Sequence, residues 1–207
     1  MLLFRSSRVA KINCAMVGGG TGGFIGEVHR MALRLDDRWE LIAGAFSSDP
    51  TRAMESASEI GVRGYPSWQE LLENEKGSVE CIIIVTPNDS HAEIATAALN
   101  AGYHVVLDKP MTRTLDEATA LADTAAATDR VFCMTYTYTG YPMIQQMRKR
   151  ILAGEIGTVR TVSVDYRQGW LSQPIERDGQ KQASWRTDPR KSGAGALGDI
   201  GSHAEHI

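Results

Sequence analysis

Asp199 and His203 stand four residues apart in the run Gly193-Ala-Gly-Ala-Leu-Gly-Asp-Ile-Gly-Ser-His203. On a helix that spacing puts both side chains on one face, where they are neighbours. A carboxylate beside an imidazole suits proton transfer, because histidine titrates near neutral pH and both takes and returns a proton. Lys109, in the triplet Asp108-Lys109-Pro110, adds a cation of the kind that favours a developing alkoxide. A base, a cation and a hydride acceptor are together what oxidation of a secondary alcohol needs. The chain stops at Ile207, inside the element that carries the pair, and so reads as a truncated protein with part of its machinery elsewhere.

The hydride acceptor has its own signature. Gly18-Gly19-Gly20-Thr21-Gly22-Gly23 contains G-x-G-x-x-G between an apolar run, Ile12–Val17, and a helical pattern from Phe24 and Ile25. Glycines at such a turn let the backbone approach a pyrophosphate, which rests on the N–H groups and positive end of the following helix. The next strand then selects the cofactor. Where an NAD site usually presents an acid to the ribose hydroxyls, this chain has Ser47 and Ser48, with Arg52 close behind. Hydroxyls and a guanidinium suit a 2′-phosphate, which favours NADP over NAD. Asp49 argues the other way, although its place before Pro50 also makes it a natural helix N-cap.

These residues need a scaffold, and the apolar pattern supplies one. Leu41–Phe46 reads as a second strand and Arg52–Ile60 as a helix. Cys81-Ile-Ile-Ile-Val85 is apolar throughout, as befits a parallel strand buried on both faces. His91–Ala101 is helical and closed by Gly102; His104–Leu107 is the next strand, and Val131–Thr135 ends the series. Ser67 with Glu70, and Thr114 with Glu117, form capping boxes. Strands alternating with helices in this way indicate an α/β fold, a doubly wound parallel sheet of Rossmann type.

Beyond about Thr137 the rhythm changes. Pro142–Ala153 reads as a helix, Val159–Arg167 alternates as a half-covered strand, and residues 168–194 have loop composition. The organisation is a tail over 1–8, a dinucleotide-binding domain over 9–136, and over 137–207 an incomplete C-terminal α+β domain with the start of an open antiparallel sheet. Tyr136, Tyr138 and Tyr141 are placed either to line a substrate pocket or to pack. Trp170, Arg177, Lys181, Trp185 and Arg186 precede the catalytic element and serve either as loop anchors or as ligand contacts.

Composition excludes several function classes. A formal charge of −3 with no Lys/Arg tract argues against coating nucleic acid. No segment approaches the roughly 18 apolar residues of a membrane span, and Met1–Arg5 is too short for a signal-peptide core. Cys14, Cys81 and Cys133 lack metal-ligand spacing and read as core residues of a cytoplasmic protein. Asp199, His203 and His206 fall at i, i+4 and i+7, but a catalytic zinc site needs three protein ligands and a supporting shell, so no metal is expected.

Val85-Thr86-Pro87-Asn88-Asp89-Ser90-His91 completes the set. TPN-x-x-H, an acidic-Lys-Pro triplet and D-x-x-x-H, spaced in this order behind the glycine loop, resemble the Gfo/Idh/MocA oxidoreductases over nearly the whole chain, from about Lys11 to Ile207. The resemblance implies an NAD(P)-dependent enzyme acting on a sugar, inositol or related polyol, and a homo-oligomer when full length. It makes Lys109 the active-site lysine, Asp199 the substrate-binding aspartate and His203 the general acid/base. Pro110 corresponds to a proline that is commonly cis. Thr86, Pro87, Asn88 and His91 correspond to the stretch lining the nicotinamide ribose. Asp108 stands where glutamate is commoner. Tyr138, Trp185 and Arg186 are the substrate-side candidates. The alternative is a nucleotide-binding regulator without turnover, a kind this family includes; retention of Lys109, Asp199 and His203 together weighs against it.

Overall fold

The computed structural model describes residues 10–170 and 172–207, with every side chain in them except that of Lys181. The 1–8 tail lies outside the described residues. The chain divides into two compact units. One comprises residue 10 to Thr86 with Glu93–Leu107 and Asp123–Cys133; the other comprises Pro87–Ala92, Asp108–Ala122 and the residues from Met134 onward.

In chain order the first elements are β1 (Ile12–Gly18), α1 (Phe24–Arg34), β2 (Trp39–Ala45), α2 (Pro50–Ile60), β3 (Arg63–Gly64) and α3 (Trp68–Asn74). They are followed by β4 (Cys81–Val85), a 3-10 turn (Asn88–Ser90), α4 (His91–Asn100), β5 (His104–Leu107), α5 (Leu115–Ala126) and β6 (Phe132–Met134). The six strands form one sheet in the order β3-β2-β1-β4-β5-β6. Each pair whose register is defined is parallel. Because β1 has β2 on one side and β4 on the other, the winding reverses there, the arrangement of a doubly wound dinucleotide-binding sheet.

Local chemistry explains the elements. Every residue of β4 is buried, as its unbroken apolar run predicts. Ser67 Oγ caps α3 by accepting from Glu70 N at 3.2 Å, and Thr114 Oγ1 accepts from Glu117 N at 3.3 Å ahead of α5. Asp49 Oδ1 accepts from Arg52 N at 2.9 Å, so this acid caps α2. At the sheet edge, Glu75 is 1% exposed yet ionised. It accepts from Arg63 Nε and Nη2, both at 2.8 Å, and from Tyr65 Oη at 2.9 Å. The bidentate guanidinium, more than the phenol, holds its carboxyl below the usual range.

The second unit continues with a 3-10 turn (Thr137–Gly140) and α6 (Pro142–Leu152), then a 3-10 turn (Ile175–Asp178). Next come α7 (Lys181–Arg186), α8 (Pro189–Ser192), a π-helical turn (Leu197–Gly201) and α9 (Ser202–Glu205). Two expectations are corrected here. The 168–194 segment is largely helical, because Gln180 and Asp188 cap α7 and α8 by accepting from Ala183 N and Arg190 N. Residues 159–167 carry no strand. Their period-2 alternation specifies two faces but supplies no ladder partner, and Val159, Val162 and Val164 remain 44%, 76% and 45% exposed.

In the first unit, α1 and the glycine loop approach closely. A Cβ at Gly26 would lie 2.2 Å from Gly19 O and 2.4 Å from Gly19 Cα, backbone atoms with nowhere to retreat. Gly26→Ala is therefore expected to destabilise the protein by about 1–3 kcal/mol, read from urea denaturation. Gly140→Ala, where a Cβ meets nothing within 4 Å, serves as the neutral control. An unchanged midpoint for Gly26→Ala would reject the close approach.

Candidate active site

The chemistry-bearing residues of the second unit converge on Lys109. Its Nζ donates to the carbonyl of Asp199 at 2.9 Å and to Asp199 Oδ1 in a short ion pair. The other carboxylate oxygen, Oδ2, accepts from Arg186 Nε at 3.2 Å. The side chains of Lys109 and Asp199 are 14% and 17% exposed, so water screens the pair weakly. An ammonium has three donors; with two committed to Asp199, the third is left for a ligand.

Asp199 lies in the π turn, whose wider winding changes which carbonyls the helix uses and is frequent at functional sites. Asp199 thus pairs with Lys109 and Arg186, and not with His203 as their spacing suggests. His203 is held by rings instead. Tyr138 meets it edge-on at 4.7 Å between centroids, and Tyr136 at 6.0 Å. Its Nδ1 is buried and has no hydrogen-bond partner among the described residues. A buried polar atom left unsatisfied is costly, and a ligand hydroxyl would satisfy it. Burial first, and then the Lys109 charge, push the His203 pKa below its ordinary 6.5; Asp199 and Asp108 oppose them and His206 adds to them. The imidazole is accordingly kept in its neutral, proton-accepting form.

A second layer fixes the two segments that meet here. The Lys109–Pro110 bond is cis, as the resemblance implies, and His91 Nδ1 lies 2.9 Å from the Pro110 carbonyl with the imidazole fully buried. Asn88, 4% exposed, donates through Nδ2 to Ser192 O at 3.1 Å. Arg113 grips Glu117 at 2.9 Å and donates to Arg190 O at 3.0 Å. At Gly193 (φ 71°) a Cβ would lie 2.5 Å from Arg113 O, so the chain passes there only as glycine. Asp108 Oδ1 accepts from Thr135 Oγ1 at 2.8 Å. Asn88 and His91, expected along the ribose, thus brace backbone; Pro87 is exposed.

The remaining substrate-side candidates are engaged as well. Arg186 lies over the Trp185 ring at 4.2 Å and over Trp170 at 5.7 Å. Tyr138 and Tyr166 share a hydroxyl–hydroxyl bond of 2.6 Å, which with burial pushes the Tyr138 phenol up to about 12 and keeps it protonated. His206 stacks on Tyr136 at 3.8 Å. Among the described residues there is no group of three side chains able to hold a metal ion.

In the first unit, Gly18 and Gly22 have φ of 81° and 76°, and Gly22 has open space where a side chain would stand. Phe24 is 70% exposed at the start of α1, and Ile25 follows it in the first turn, whose N–H groups lack intrahelical partners. Gly20 N donates to Phe46 O at 3.2 Å and Gly23 N to Gly20 O at 2.8 Å. Thr21 N donates to Ser56 Oγ at 3.2 Å, and Thr21 Oγ1 donates to Glu59 at 2.5 Å. Gly18 packs against Thr86. Ser47 Oγ accepts from Asp49 N at 3.1 Å, while Ser48 and Arg52 are exposed. The loop and the β2 terminus therefore fit a dinucleotide. Sequence reasoning missed Gly26, Arg30, Arg113 and Thr135, although a glycine inside a helical pattern was an available signal for Gly26.

The electrostatics of His203 can be read directly by NMR titration of its ring. We expect a pKa below 6.5, raised by Lys109→Met, which removes a like charge, and lowered further by Asp199→Asn. A value above 6.5, or a fall on Lys109→Met, contradicts this account.

Comparison with known proteins agrees with the fold and the motifs. Residues 12–136 match the model of the oxidoreductase family with an NAD-binding Rossmann fold, and residues 144–207 match a GFO/IDH/MocA C-terminal domain. The uncharacterized oxidoreductase YfiI of Bacillus subtilis is 35% identical over 93% of this chain and 51% of its own length. Levoglucosan dehydrogenase of Pseudarthrobacter phenanthrenivorans is 30% identical over 93% of this chain and 49% of its own. A crystal structure of an inositol dehydrogenase homologue from Azotobacter vinelandii, complexed with NAD+, is 41% identical, with a TM-score of 0.89 over 96% of this chain and 52% of that one. The chain spans about half the length of these relatives. With a family model over most of its residues and these relatives over nearly all of them, the chain belongs to the Gfo/Idh/MocA oxidoreductases.

Proposed function

We propose that the protein moves a hydride between a nicotinamide dinucleotide and a secondary alcohol of a sugar, inositol or related polyol. The observation that carries this reading is the cluster of Lys109, Asp199 and a neutral imidazole whose buried Nδ1 lacks a partner. Relatives named for inositol and levoglucosan, both ring polyols, support the substrate class. In this reading residues 9–136 hold the dinucleotide and residues 137–207 open the substrate domain.

When bound, the nicotinamide supplies the hydride acceptor or donor. Gly20, Thr21, Gly22, Gly23, Phe24 and Ile25 receive its pyrophosphate on glycine backbone and helix N–H groups. The third N–H of Lys109 donates to the substrate oxygen and stabilises negative charge developing there. Asp199 aims that ammonium, and Arg186 holds the Asp199 carboxylate in turn. His203 accepts the hydroxyl proton in oxidation and returns it in reduction. A regulator without turnover would have no use for a base kept neutral beside a cation.

Loss of the acid–base pair should appear in chemistry before binding. Lys109→Met and His203→Ala are each expected to lower kcat by roughly 100-fold or more on an inositol and aldose panel, with NADH affinity unchanged. A variant that keeps wild-type kcat removes that residue from the mechanism. At the adenosine end, Arg52 with Ser47 and Ser48 suits a 2′-phosphate, so NADP is the favoured dinucleotide and NAD the alternative. Arg52→Ala should weaken NADPH by roughly tenfold and leave NADH unaltered; equal losses for both would reject the assignment.

A further inference from the structure

Three consecutive glycines, Gly18 to Gly20, leave the loop without side chains to fix its peptide planes. Gly18 and Gly19 have φ of 81° and 67°, in the region glycine enters freely. A peptide between two glycines turns over with little steric resistance, and doing so exchanges its oxygen for its N–H. At a pyrophosphate site that exchange matters, because an inward carbonyl repels the anion that an N–H attracts.

The Gly19–Gly20 peptide is nevertheless held at both ends. Arg30 Nη1 donates to Gly19 O at 2.6 Å, while Gly20 N donates to Phe46 O at 3.2 Å. Arg30 follows Gly26 by one turn of α1, on the face where the missing Cβ admits the loop. The guanidinium is half-buried and also touches Met16 Sδ at 4.0 Å. The bare turn at Gly26 allows the Gly19 oxygen to approach α1, and the cation one turn on keeps it there.

We infer that Arg30 is a positioning residue for dinucleotide binding: it locks the Gly19–Gly20 peptide with its oxygen turned to α1, leaving the loop a surface of donors for the pyrophosphate. Arg30 acts through the loop backbone and does not touch the cofactor. The inference rests on the dinucleotide reading above and adds a residue outside the glycine motif.

The test compares ligands with and without phosphate on the same variants. Arg30→Met should weaken NADH and ADP-ribose by roughly tenfold, the scale of a lost charged hydrogen bond. Adenosine, which lacks the pyrophosphate, should bind as before, and Arg30→Lys should recover part of the loss. Hydrogen exchange at the Gly20 amide of the ligand-free protein should quicken in Arg30→Met. Unchanged NADH affinity in a folded Arg30→Met overturns the inference and leaves the dinucleotide reading intact. An equal loss for adenosine overturns it too, since that marks a general packing role. Wild-type protein that binds neither NADH nor NADPH overturns both. If Arg30→Met fails to fold, Arg30→Gln, which shortens the reach and removes the charge, carries the same comparison.

Discussion

The ion pair of Lys109 and Asp199 holds the candidate site together. It joins a residue directly after β5 to one in the π turn, 90 positions later. Such a pair, largely withdrawn from water, is stable only when its remaining hydrogen-bond capacity is met. The surroundings show how that is done. Lys109 also reaches the Asp199 carbonyl, and Arg186 takes the second carboxylate oxygen. The braces from Asn88, Arg113 and Gly193 then fix the backbone on which the two charges are mounted. The field of the pair in turn reaches His203, where the Lys109 charge outweighs the opposing Asp199 and assists burial in keeping the ring neutral.

The glycine loop solves a different problem with backbone alone. Its shape comes from what glycine lacks, at Gly26 and Gly20, where a Cβ would collide with Gly19 or with Phe46 O. Its orientation comes from partners on α1, β2 and α2, which fasten Gly19, Gly20 and Thr21 in turn. An anion site made of amides needs both properties, since closeness without orientation presents oxygens as readily as N–H groups.

How much of this was legible in the sequence depended on the range of the interaction. The buried β4, both capping boxes and the Asp49 cap were readable, because each is decided within a few residues. Lys109, Asp199 and His203 were singled out by type and motif, but their pairing was not. Helical spacing made Asp199 a partner for His203, whereas the fold gave it two cations from other elements. Arg186 likewise looked like a free ligand contact and is committed to Asp199. The short helices α7 and α8 escaped notice because six and four residues show no apolar period. The 159–167 alternation was real, but a strand is a relation between two segments and one segment cannot specify it.

The π turn at Leu197–Gly201 has a consequence for how this segment tolerates change in length. A π turn is an α-helical turn with one residue inserted, and each residue of an α-helix advances the chain by about 100°. Deleting one residue between Asp199 and His203 would wind the turn back to α and swing everything after it by that angle. The imidazole would leave its tyrosine wall while Asp199 kept its cations. Substitutions in the loops before this point are therefore a milder perturbation than a single-codon deletion within it, and the spacing from 199 to 203 is a frame that drift in length would break before drift in composition.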